Sequence, residues 1–100
     1  MIYCVISGVA TAGKEEAAAK WAVKVAKYFN QAYGKYGHME IAQNLDGKSM
    51  THWVERLNSL TALDEAKAKW ATDKAVPPLD KEGAGLFGQI ETHYYETVEG

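Results

Sequence analysis

The sequence predicts a small α+β sandwich: a four-stranded antiparallel sheet with two helices laid over one of its faces. Three observations predict it. The elements read strand–helix–strand–strand–helix–strand within 100 residues. The first strand is apolar on both of its sides, which places it in the middle of a sheet. An Asp46-Gly47 turn joins the two middle strands as a hairpin. The whole of residues 1–100 reads as one domain, because a chain of this length has no room for a second core.

Ile2 to Ala10 form the first strand, rich in β-formers, with Ile2, Cys4 and Ile6 on one side and Tyr3 and Val5 on the other. Thr11–Gly13 turn the chain into an amphipathic helix from Lys14 to about Tyr33. Its stripe of Ala18, Trp21, Val25, Phe29 and Ala32 recurs at spacings of three and four, with Lys20, Lys24 and Lys27 facing away. Glu15 and Glu16 complement the dipole at its start. Gly34 and Gly37 are expected to end it. Strands follow around His38–Leu45 and Ser49–Leu57. Thr61 is the expected N-cap of a second helix running to about Ala75, with Leu63, Ala66, Trp70 and Lys74 along one side. Pro77-Pro78 should stop that helix. Leu79–Gly85 then reads as a loop and Leu86–Val98 as the last strand.

Composition narrows the possibilities. A hydrophobic fraction of 47% suits a packed core. A net charge of −2 with mixed signs gives no electrostatic footprint for nucleic acid or an anionic membrane. No apolar run approaches the roughly 20 residues that cross a bilayer. The N-terminus enters a strand pattern and lacks the basic start of a signal peptide. Cys4 is the single cysteine and forms no internal disulfide. A cytoplasmic location is expected.

Two motifs resemble cofactor sites and fail on physical grounds. Gly8-Val9-Ala10-Thr11-Ala12-Gly13-Lys14 matches the first seven positions of a P-loop. The eighth position needs a hydroxyl for Mg²⁺ and is Glu15, beside Glu16; two carboxylates would repel a triphosphate. Gly83-Ala84-Gly85-Leu86-Phe87-Gly88 matches G-x-G-x-x-G, but it follows a helix and opens a strand, the reverse of a dinucleotide site. It reads as a loop, with Gly88 permitting a bulge. No cofactor is expected.

His38, His52 and His93 all lie on predicted strands, and none forms a tight metal-binding pair such as H-x-H or H-E-x-x-H; no metal is expected. Parity groups His52 with Val54 and Arg56, and His93 with Gln89, Glu91 and Tyr95. The strand register decides whether these are one face. The aromatics are more numerous than a small core needs. Trp21 and Trp70 sit on the inner stripes of the two helices, and Trp53 alternates with Leu57 on a strand. They read either as core packing or as the walls of a pocket for a flat apolar ligand.

The element order is that of the ferredoxin-like fold, and the details resemble the dimeric α+β barrel proteins within it. Ala12-Gly13-Lys14-Glu15-Glu16-Ala17 resembles the P-G-K-E-E opening of the first helix in antibiotic-biosynthesis-monooxygenase-like members, with alanine for proline. Asp64-Glu65-Ala66-Lys67-Ala68-Lys69-Trp70, running toward Pro77, resembles the second helix of NIPSNAP-like members. The resemblance implies a homodimer packed sheet face to sheet face, with a ligand cleft between the sheet and helices of each subunit. Members include cofactor-independent monooxygenases, haem-degrading enzymes, haem-binding peroxidases and isomerases. The haem-degrading type carries an Asn on the first strand, which this chain lacks.

The resulting expectation is a protein that binds a small flat apolar molecule in that cleft through Trp21, Trp53, Trp70 and Tyr94. The alternative is a cofactor-independent monooxygenase or isomerase acting on a small aromatic or enolisable substrate. In that case His52 or His93 would abstract a proton, since imidazole titrates near neutrality. Trp53 or Tyr94 would position the ring.

Overall fold

The computed structural model describes residues 1–47 and 49–98. Its elements are β1 (Ile2–Ala10), α1 (Glu15–Ala32), β2 (Gly37–Gln43), β3 (Met50–Leu57), α2 (Leu60–Thr72), α3 (Val76–Gly83) and β4 (Phe87–Glu96). The strands form one antiparallel sheet in the order β2-β3-β1-β4, so the strand that is apolar on both sides is central. This is the α+β, ferredoxin-like arrangement. No helix among the described residues is long and apolar enough to cross a membrane.

The register sorts the sheet into two faces. Cys4 lies opposite Glu55 on β3 and Tyr94 on β4, and Ile6 lies opposite Trp53 and Thr92. These side chains face the helices. Tyr3, Val5 and Ser7 point the other way, beside Arg56, Val54 and His52 on β3 and Tyr95, His93 and Glu91 on β4. On the helix side, Ala22, Val25, Ala26 and Phe29 of α1 and Leu63 and Ala66 of α2 are buried with Ile2, Cys4, Met39, Trp53 and Leu57 in one core.

Several local expectations need correction. Ser59, not Thr61, caps α2: it is extended, and its Oγ accepts the Ala62 N–H at 3.1 Å. Gly37 opens β2 instead of closing α1. A Cβ there would lie 2.0 Å from the Arg56 carbonyl oxygen, so only glycine fits this close strand approach. The hairpin connection is longer than an Asp46-Gly47 turn alone, since the last ladder pair is Gln43 with Thr51.

The largest correction concerns Pro77-Pro78, which begin a helix instead of stopping one. α2 ends at Thr72, and the two prolines occupy the first turn of α3, where their missing N–H groups would have had no intrahelical partner. The expected loop Leu79–Gly85 is therefore largely helical. Asp73 stands at the α2–α3 junction. Its carboxylate accepts the hydroxyls of Tyr28 and Tyr33 at 2.5 and 2.7 Å and the Ala75 N–H at 2.9 Å. That clasp ties the junction to α1.

The two glycine-containing motifs meet each other. The Thr11 N–H donates to the Leu86 carbonyl at 2.9 Å and its hydroxyl to the Gly85 carbonyl at 2.8 Å. Between the pairs Gly8–Ile90 and Ala10–Phe87, β4 carries one more residue than β1, a bulge beside Gly88. Both motifs thus lie where the end of β1 is tied to the start of β4.

Candidate functional site

A cavity of about 300 Å³ lies between the sheet and the helices. Its floor is the helix-facing side of β1, β3 and β4: Cys4, Ile6, Trp53, Glu55, Thr92 and Tyr94. Trp21, Val25 and Phe29 of α1 form one wall, and Leu63, Ala66, Lys67 and Trp70 of α2 form another. Asp80 of α3, Ile90 of β4 and Met39 of β2 complete the lining. The lining residues of β4 (Ile90, Thr92 and Tyr94), with Lys67 and Asp80, are exposed, whereas Cys4, Phe29, Met39 and Trp53 are buried. The cavity therefore opens over β4 and deepens toward β3.

The rings at its α3 end are fixed by packing and by one hydrogen bond. Trp53 and Phe87 meet edge to face with centroids 5.0 Å apart, and Trp21 meets Trp53 edge to face at 6.1 Å. Trp21 Nε1 donates to the Leu79 carbonyl of α3 at 2.9 Å. Such arrangements are favoured by ring quadrupoles and hold indole planes rigidly. At the opposite end Trp70 packs on Tyr33 and Tyr28, with centroids 5.4 and 6.1 Å away.

Of the two carboxyls that line the cavity, Asp80 is exposed and Glu55 is half-buried in the apolar interior. Glu55 shares its sheet face with Trp53 and Leu57, and it crosses the strands in a row with Met39, Cys4 and Tyr94. Burial disfavours its charged form and pushes its pKa from 4.5 to about 7, with the positive charge of Lys67 pulling the other way. Cys4 is pushed to about 11, chiefly by burial and then by the charge of Glu55, so it remains a thiol at neutral pH. Lys67 holds its ammonium over the Tyr94 ring, 4.9 Å from the centroid. The cavity thus joins a ring-lined interior to one carboxyl whose protonation is balanced near neutrality and one ammonium at its mouth.

Trp21, Trp53, Trp70 and Tyr94 all line this cavity. His52 and His93 do not. Both project from the opposite face of the sheet, opposite Ser7 and Val5 of β1. His52 Nδ1 lies 2.7 Å from Ser7 Oγ and its Nε2 lies 2.7 Å from Asn44 Oδ1. With the Asn44 oxygen accepting, Nε2 carries the proton and Nδ1 accepts the serine hydroxyl. His93 stands 3.5 Å from Glu91 and stacks obliquely on Tyr95. The sheet separates both imidazoles from a ligand in the cavity. Among the described residues no three His, Cys, Asp or Glu side chains converge as a metal site requires.

Glu55 was absent from the residues singled out by sequence. A signal existed: it is the one charged residue between Trp53 and Leu57 on the inward parity of a strand otherwise read as core-facing. A carboxylate at a core position is seldom tolerated without a purpose.

No protein-family model matches the chain, and no curated protein matches it in sequence. Solved structures do match over nearly its full length. A provisionally assigned antibiotic biosynthesis monooxygenase from Nitrosomonas europaea superposes with a TM-score of 0.78 at 11% identity, covering 99% of this chain and 100% of that one. The fold is shared with antibiotic-biosynthesis-monooxygenase-like and NIPSNAP-domain proteins. A second provisionally assigned monooxygenase, from Deinococcus radiodurans, gives 0.77 at 16% identity over 100% of this chain and 95% of that one. An uncharacterised NIPSNAP domain protein from Burkholderia xenovorans gives 0.80 at 11% identity over 98% and 95%. At these identities the likeness is one of fold.

Proposed function

We propose that the protein binds a small, flat, largely apolar molecule in the cavity between its sheet and helices. The observation that carries this reading is the cavity itself: about 300 Å³ walled by Trp21, Trp53, Trp70, Phe29 and Tyr94. Interiors are otherwise packed with few voids larger than a water molecule, and small-molecule sites are apolar clefts with a few polar groups. Glu55 and Lys67 are those groups here. A second reading, a cofactor-independent monooxygenase or isomerase working on an aromatic or enolisable substrate in the same cavity, is favoured by Glu55. The oxygenase names of the similar structures agree with it.

The open face of the sheet is the proposed surface for a second copy of the chain. Tyr3, Val5 and Val54 form its half-buried centre, and Tyr95 is 54% exposed. Around that centre stand charges of both signs: Arg56 donating to Glu40 at 3.0 Å, and His93 beside Glu91. A twofold copy of such a face can cover the apolar centre and set opposite charges against each other.

The cavity is tested by tryptophan fluorescence during titration with β-naphthol, a flat aromatic probe. Saturable quenching is expected. Ala66→Phe, which fills the cavity from the buried side of α2, should weaken binding at least about tenfold. Unchanged affinity in that variant would place the ligand elsewhere, and no saturable binding by the parent protein would remove the reading.

A further inference from the structure

We propose that Glu55 is the proton acceptor for a flat enolisable carbonyl compound held among the rings of this cavity, with Lys67 set at the enolate oxygen. The inference rests on the reading that the cavity binds small molecules, and it assigns the proton transfer and the enolate contact at that site to named residues.

The argument begins with position. Glu55 is held on the central strand β3 by ladder pairing on both sides, with Cys4 on one flank and Met39 on the other. Its carboxyl is thus fixed at the floor of a cavity whose walls include the Trp21 and Trp70 indoles, rings whose faces suit a planar substrate. A carboxyl held on a rigid strand and partly desolvated by an apolar pocket suits proton abstraction from carbon, because it is prepositioned.

Charge supplies the second part. The ionisable groups that line the cavity with Glu55 are the Cys4 thiol from β1, the Tyr94 hydroxyl from β4, the Lys67 ammonium from α2 and the Asp80 carboxylate from α3. α1 presents only Trp21, Val25 and Phe29, and β2 presents Met39. Lys67 is therefore the single cation among the lining groups. Removing a proton from carbon beside a carbonyl builds negative charge on the oxygen, and a cation at that point stabilises it. A substrate entering over β4 with its carbonyl toward Lys67 and Tyr94 presents its acidic C–H toward the floor, where Glu55 waits.

The step balances without any co-reactant. The Glu55 carboxylate forms an O–H bond as the substrate C–H bond breaks. The C–H electron pair becomes the enolate C=C, and the carbonyl π pair moves to oxygen. Neutral Glu55 trades its proton with solvent and reprotonates the same carbon, giving exchange, or returns the proton to a conjugated carbon, giving isomerisation. Burial that keeps the carboxyl half-ionised near pH 7 lets it take and return a proton at similar cost.

The test uses β-tetralone, a fused aromatic ketone with acidic C–H bonds, in deuterium oxide. Binding is followed by tryptophan fluorescence and deuterium incorporation by mass spectrometry. The parent protein should bind the ketone and exchange its α-protons above the buffer rate, with the rate rising as Glu55 ionises through neutrality. Glu55→Gln should retain binding and lose about 100-fold or more of the exchange. Glu55→Asp, which keeps the carboxyl but retracts it, should lose less than Gln. Binding without exchange by the parent protein overturns the proton-transfer proposal and leaves the binding reading standing. Absence of binding overturns both. Exchange that survives Glu55→Gln but disappears in His52→Ala or His93→Ala would move the chemistry to the other face of the sheet.

Discussion

Glu55 concentrates the residue-scale chemistry. Its carboxyl holds a proton up to about pH 7 in the folded protein, against 4.5 as its ordinary value. Between those values the folded state keeps a proton that the unfolded chain has released. Stability therefore falls as the pH rises from about 4.5 to 7 and stays lower above that window. Glu55→Gln removes the titration. Urea melts should show the variant gaining roughly 3 kcal/mol over the parent at pH 8 relative to its effect at pH 4, each pH unit of displacement being worth about 1.4 kcal/mol. Equal effects at both pH values would show that the carboxyl is solvated like any other. The sequence marks this position only through strand parity. Periodicity identifies the inward face, but it does not distinguish a carboxyl folded out to water from one kept beneath tryptophans.

At the scale of elements, α3 shows how tertiary contact overrides local preference. A proline pair after a helical pattern reads as a stop, yet α2 has already ended at Thr72 and the pair starts a new helix, because proline is tolerated in a first turn. That helix matters to the cavity. Its Leu79 carbonyl holds the Trp21 indole, and its last residue, Gly83, lies against the same ring. A Cβ on Gly83 would approach the Trp21 ring to 2.3 Å. Intrinsic helix propensity predicts that Gly83→Ala stabilises by up to about 1 kcal/mol. Packing predicts the reverse, a loss of about 1–3 kcal/mol with Trp21 displaced, because Trp53, Phe87 and the Leu79 carbonyl leave the ring little room. Thermal melts decide the sign, and a shifted tryptophan emission would report the moved ring. The other elements follow their local signals more closely. α1 keeps its stripe of Ala18, Val25 and Phe29, and its acidic first turn, to within one residue at each end of the expected span.

For the whole molecule the open question is what lies against the polar-rimmed face of Tyr3, Val5 and Val54. A sandwich with helices on one side leaves the other side of its sheet to solvent or to a partner. With a second copy as the occupant, analytical ultracentrifugation at micromolar concentration should give twice the chain mass of 11.0 kDa. Val5→Lys, which puts a charge at the centre of the twofold contact, should return a folded monomer. A parent protein that sediments as a monomer at that concentration would sink the pairing. The same experiment bears on His52 and His93, because an interface there would bury the Ser7–His52–Asn44 chain and the His93–Glu91 pair between subunits.

The sequence by itself determined the kinds and order of every element but α3, the central place of β1, and the ring-rich character of the inner faces. Those properties follow from residues a few positions apart, through strand alternation and the helical repeat. Only the tertiary structure decided that His38, His52 and His93 share the face away from the helices, that Trp21, Trp53, Trp70 and Tyr94 line one cavity, and that Glu55 stands in its floor. It also decided that the two glycine motifs meet where the end of β1 joins the start of β4. The physical reason is register. A slip of one residue between paired strands sends every side chain to the opposite face, and the contacts that fix the register come from residues far apart in the chain.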